Sequence, residues 1–292
     1  MKNKLIVLLS SLFFGIVLGI WRLYLLGKFV DSENGFFIRE YRIQGLLIAV
    51  IILVLILFYF ILSRKTKEYP ISPRKGSKTI SVFGFLLGIV CLIVIIDKFK
   101  KIKISSVDLL LLFLLFFATI YFILLALSQL RVFKISSKYA IIPLFYFVAE
   151  LASCFLKSFG IVGSQQTYLE ILCYVLFVLY FLVFSRYLAK SKFKKVRKHF
   201  LWLSLSASTV SIAYGLSDLL CFVLYPDFAS ARGLNVFDTS LVLFLGIYIF
   251  AFACASFLKK KVYRKYTDGS YENPKICEKD KLVWDSLKNE KK

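Results

Sequence analysis

Three ionisable residues interrupt long apolar runs in this 292-residue chain: Glu150, Lys157 and Asp218. A charge in apolar surroundings is costly unless it is paired, so residues kept in such places are candidates for chemistry. Tyr146, Glu150, Ser153 and Lys157 recur at steps of four, three and four, the spacing of one helical face. A second stripe follows the same rule with Ser204, Ser208, Ser211, Gly215 and Asp218. The two stripes are expected to face each other across a shared polar centre.

Depth follows from a rise of about 1.5 Å per residue. Lys157 and Asp218 come out at the same level, which predicts an ion pair between them. Glu150 comes out about 18 Å from Lys138, near the middle of its run, with no cation at its own level. Ser211 and Ser208 are the donors within its reach. A carboxyl stranded in that way would keep its proton at neutral pH. Such an arrangement suits binding or transport of a small solute, or of a proton. The plainer alternative is adhesive: a neutral Glu150 bonded to serines, and an ion pair that sets helix register.

Other chemistries lack their residues. His199 is the only histidine, so no paired-histidine zinc motif exists, and no metal or cofactor is expected. Glu150 and Asp218 differ by about 9 Å in depth, too far for an aspartyl-protease dyad. Lys75-Gly76-Ser77 has the wrong order for a phosphate-binding loop. The enzymatic alternative is lipid chemistry, with a head group held by an outer cluster of Arg22, Asp97, Asp108, Glu170 and Asp218.

The elements that position these residues are long and apolar. The chain is 59% hydrophobic with a mean hydropathy of +0.77. Soluble domains run at about 45–50% apolar, so a soluble or disordered chain is excluded. Runs of about 20 apolar residues cross a bilayer as helices. Eight are present, at about 4–26, 44–63, 79–97, 108–130, 138–160, 168–189, 200–225 and 240–258. The predicted fold is all-α, a transmembrane bundle of eight spans, with residues 1–258 as the membrane domain and 259–292 as a charged cytoplasmic tail. The first run continues through Trp21 and Leu26, past the length of a signal peptide's apolar core, and is read as an uncleaved span. Asn34-Gly35 in the following loop favours a small hairpin.

Gly15-x-x-x-Gly19 and Gly84-x-x-x-Gly88 permit close helix approach, expected within one chain. The second span has almost no polar side chain and is expected to be the most exposed to lipid. The cysteines, one in each of five spans and Cys277 in the tail, are read as small apolar core residues.

The formal charge is +22. With eight spans, 29 Lys and Arg residues fall on the side of both termini and 10 on the other. The richer side is expected to be cytoplasmic. Acidic residues divide 7 to 10, so the whole net charge lies on that side. It is topological, with anionic lipid at the cytoplasmic face as a partner, and calls for no nucleic acid. Four lysines between Lys98 and Lys103 go against the trend.

Arg22-x-Tyr24-Leu25-Leu26 followed by Val30-Asp31-x-x-Asn34-Gly35-Phe36 resembles the end of the first span in uncharacterised multi-span membrane proteins of Gram-positive anaerobes. The resemblance implies a multi-pass protein of a bacterial cytoplasmic membrane and no activity. The functional expectation is a solute-binding or transporting protein. A non-catalytic scaffold or sensor subunit, its protein partner unknown, is the other class.

Overall fold

In a computed structural model, the helix at the centre is the one richest in small residues. The structure describes residues 2–29, 41–65, 77–100, 106–130, 136–159, 167–189, 196–231 and 234–257. These form α1 (Lys2–Phe29), α2 (Tyr41–Lys65), α3 (Lys78–Lys100), α4 (Ser106–Gln129), α5 (Ile142–Phe159), α6 (Thr167–Leu188), α7 (Val196–Leu224), a short α8 (Pro226–Ala231) and α9 (Val236–Phe257). Among the described residues, eight helices are long and apolar enough to cross a membrane, and no strand occurs. The expected hairpin at Asn34-Gly35 and the tail lie outside the described residues.

Helices extend a few residues past several of the apolar runs, because helical hydrogen bonding continues where hydropathy stops. The fifth run opens differently. A 3-10 turn, Ser137–Ile141, precedes α5. Pro143 then sits in the first turn of α5, where its missing N–H removes no helical bond. α8 was not foreseen, since six residues are too few to carry a periodic signal.

α7 packs against α1, α2, α6 and α9. Across its membrane-length stretch 67% is buried, against 33% for α2, the least buried. Ser, Thr, Ala and Gly dominate its middle, from Ser204 to Gly215. Small side chains remove little apolar area from solvent by themselves. They let neighbouring backbones come close instead. Several of their hydroxyls bond within the helix: Ser204 to the Phe200 carbonyl and Thr209 to the Leu205 carbonyl, at 2.6 and 2.9 Å.

α1 uses this directly. Ser11 lies 2.8 Å from the Thr209 hydroxyl. A Cβ at Gly15 would stand 3.1 Å from the Thr209 carbonyl oxygen, and one at Gly19 would stand 3.1 Å from that of Ala213. Residue numbers rise together along the contact, so α1 and α7 run parallel. α3 and α4 instead run antiparallel. Ser81 donates to the Ala126 carbonyl at 2.9 Å, a Cβ at Gly84 would meet the Ala126 Cβ at 3.0 Å, and one at Gly88 would meet the Ile123 side chain. α2 is held by Trp202, whose indole N–H donates to the Leu55 carbonyl at 2.9 Å, with Tyr59 against the indole edge.

The outer surface is as apolar as the core. Ile6, Phe13, Phe60, Ile89, Phe113 and Leu156 are among many large apolar side chains that face outward. Soluble monomers rarely expose apolar patches beyond about 600 Å².

Replacing Gly19 by Val forces a branched side chain into the α1–α7 contact. The expected loss is about 1–3 kcal/mol, measured as a lower unfolding temperature in detergent. Gly45→Ala, where a Cβ would meet nothing within 4 Å, is expected to leave that temperature unchanged or slightly raised.

Candidate functional site

Two polar networks occupy the bundle, and neither has the membership that spacing alone suggested. The first joins α1 to α7. Arg22 Nη1 donates to Asp218 Oδ1 at 2.5 Å, to the Tyr214 carbonyl at 3.2 Å and to the Ser217 hydroxyl. The guanidinium carbon lies 4.8 Å from the centre of the Tyr214 ring. The Arg22 and Asp218 side chains are 5% and 0% exposed. Arginine suits such a place, because its planar, weakly hydrated cation accepts in-plane acceptors and an aromatic face together.

The expectation that Asp218 takes its cation from Lys157 is therefore corrected in part: α1 provides one. Lys157 lies on α5, and its side chain is outside the described residues. The sequence groups Arg22 with Asp218 only in an outer head-group cluster, because Arg22 sits near the end of the run at 4–26, where a basic residue reads as topology. α1 continues to Phe29, which leaves Arg22 well inside the helix. A signal was available. Ser11, Gly15, Gly19 and Arg22 follow steps of four, four and three, so the glycine stripe leads to the arginine on one face.

The second network joins α3, α5 and α9. Tyr146 donates to Glu150 Oε1 at 2.9 Å, one turn along α5. Lys98 Nζ, from the last turn of α3, lies 3.5 Å from the same oxygen and 3.2 Å from Asp238 Oδ1. The Asn235 amide donates to Asp97 Oδ2 at 3.0 Å and to Asp238 Oδ2 at 3.2 Å. Its own oxygen accepts from the Phe237 N–H at 3.0 Å, capping α9. Asn235 thus starts a helix and ties it to α3 with one side chain.

Glu150 was expected to lack a cation at its level. The structure corrects this. Lysine carries its charge at the end of a long flexible chain, so a residue near a helix end can place the charge well away from its own Cα. Counting rise along a single helix misses that reach. Glu150 is therefore not stranded, since Lys98 lies beside it.

The stripes of α5 and α7 also do not form one face-to-face centre. α6 packs against both helices. Ser211 donates to the Val242 carbonyl of α9, and a Cβ at Gly215 would meet Leu243 of the same helix, so that part of the α7 stripe serves packing. Ser208 is fully buried, and its hydroxyl has no hydrogen-bond partner among the described residues. Ser153 is buried on α5. Tyr174 on α6 packs its ring near Phe147 of α5, 6.5 Å between ring centres. The outer cluster considered for a lipid head group is divided: Arg22 pairs with Asp218, while Asp97 accepts from Asn235. Among the described residues, no three His, Cys, Asp or Glu side chains are grouped to hold a metal ion.

Compared with protein-family models, curated proteins and solved structures, the chain finds no match. Within the resembling segment, Arg22 to Leu26 belong to α1, and Val30 to Phe36 lie outside the described residues.

The Arg22–Asp218 pair gives a clean test. Removing one partner leaves a buried charge uncompensated, so Arg22→Met is expected to cost about 3–5 kcal/mol. Arg22→Met combined with Asp218→Leu removes both charges and is expected to recover most of that loss. Thermal unfolding of the single and double variants in detergent measures the coupling.

Proposed function

We propose that the protein is a multi-pass protein of the cell membrane with both termini in the cytoplasm, and that it binds or moves a small cationic solute at the cluster of Lys98, Glu150 and Asp238. The observation that carries this reading is one ammonium shared by two carboxylates from two different helices. Asn235 joins Asp97 of α3 to the same cluster. Two carboxylates that meet from different helices in a low-dielectric setting can hold a cation between them. Exposure falls from 39% at the Asp238 side chain through 20% at Lys98 to 11% at Glu150. The cluster therefore grades from accessible to enclosed, as a binding site entered from one end requires.

The positive-inside distribution supports the orientation. It puts the end of α3 and the start of α9 on the outer side, so the solute would enter from outside. The Arg22–Asp218 network has no comparable access. It supports the other reading, a scaffold in which charge fixes helix register, and the two readings can hold for the two networks separately.

The test uses the purified chain in detergent with sodium, potassium and methylammonium chloride as probes. At about 100 times its dissociation constant a bound cation stabilises by about 2.7 kcal/mol. One of these probes is expected to raise the unfolding temperature of the wild type, and Glu150→Gln is expected to abolish the rise while keeping the Tyr146 hydrogen bond. Identical responses of wild type and Glu150→Gln to all three cations, and across neutral pH, would sink the proposal.

A further inference from the structure

The cluster of Lys98, Glu150 and Asp238 already holds a cation of its own. Lys98 Nζ stands 3.2 Å from Asp238 Oδ1 and 3.5 Å from Glu150 Oε1. Charge-assisted N–H···O bonds settle at about 2.7–2.9 Å, so both contacts are slack. Arg22 makes the contrast. Its guanidinium meets Asp218, the Tyr214 carbonyl, the Ser217 hydroxyl and an aromatic ring, and it is enclosed. Lys98 touches two carboxylates and is partly exposed.

Each carboxylate keeps a partner without the lysine. Glu150 Oε1 accepts from the Tyr146 hydroxyl at 2.9 Å. Asp238 lies in the first turn of α9, where helical N–H groups favour a negative charge, and its Oδ2 accepts from the Asn235 amide at 3.2 Å. The two acceptors are thus held by groups other than the ammonium they share. Lys98 in turn has a second place for its charge. It lies in the last turn of α3, whose end carbonyls attract a cation, and its long stem reaches toward solvent. Release also regains rotamer freedom, of which lysine has more than most side chains.

We infer, on the basis of the cation site proposed above, that Lys98 is a tethered stand-in for the solute: the site takes a primary alkylammonium ion, which binds by displacing the Lys98 ammonium from Glu150 and Asp238. Exchange of one monovalent cation for another leaves the charge of the enclosed cluster unchanged, so no carboxylate is left uncompensated. A primary ammonium brings the same N–H donors as lysine. A quaternary ammonium brings none. The lysine sets the threshold. Solute binds only the fraction of molecules whose Lys98 has swung away, and a fraction of about a tenth weakens the apparent affinity about tenfold.

The experiment uses the purified full chain in detergent and reads unfolding temperature against the concentration of propylammonium chloride, the fragment that Lys98→Ala removes. Sodium and tetramethylammonium chloride at equal ionic strength are the comparisons. In Lys98→Ala the midpoint of the propylammonium rise is expected at a concentration about tenfold lower than in the wild type, with neither comparison salt gaining. Adding Glu150→Gln to Lys98→Ala is expected to abolish the rise. If Lys98→Ala is not recovered folded, Lys98→Gln is titrated in its place with the same expectation. An equal midpoint in wild type and variant, or an equal gain for sodium and tetramethylammonium, overturns the inference and leaves the cation site standing. No response to any cation in wild type and variant alike overturns the site, and the inference with it.

Discussion

A helix of serines, threonines, alanines and glycines is useful in an apolar bundle only if its neighbours come close. α7 is that helix, and the rest of the architecture depends on its thinness. Four long helices meet it, and α1 follows it in parallel register from Ser11 to Arg22. Close approach makes dispersion contacts dense and shields the polar groups between the backbones. It also brings the Arg22 guanidinium to the Tyr214 carbonyl as well as to Asp218. The ion pair is thus a product of packing as much as of charge. Without Gly15 and Gly19, the arginine could not be held at that distance.

The two polar networks differ in what surrounds them. Arg22 and Asp218 are enclosed by one helix pair and by the ring of Tyr214. Their mutual attraction offsets desolvation, and little freedom remains for chemistry. Lys98 is held from two sides by carboxylates on helices that it alone links directly by charge among the described residues. Its network opens to the exterior through Asp238. Polarity by itself does not distinguish a fastening from a site. Access does.

Much of the fold was legible because apolar runs of helical length are a coarse, redundant signal. Each of the eight runs corresponds to a long helix, with ends displaced by a few residues. The glycine pairs also showed where helices could approach, although not which partner they would meet. Site membership was far less legible. Spacing on a single helix shows which residues share a face, and so grouped Tyr146 with Glu150. It carries nothing about which other helix meets that face. Asp218 was matched to Lys157 by depth alone, whereas Arg22 on α1, grouped with it only as part of a head-group cluster, is a partner. Lys98 was hidden by the reach of its side chain. Asn235 gave a helix-cap signal that was not used, and its bond to Asp97 is visible only in three dimensions.

The register of α1 against α7 bears on how the chain is made. Arg22 and Asp218 are 196 positions apart. At about 5–20 residues per second of synthesis, some 10–40 s separate their appearance. Through that interval α1 carries a cation whose partner does not yet exist, while five further spans are threaded. An arginine in that position is stable only where its charge can reach the head-group layer. The contact that fixes α1 can therefore form only when α7 arrives. α9 follows and completes the contacts of α3 and α7, and a chain interrupted before α7 would leave α1 without its main neighbour.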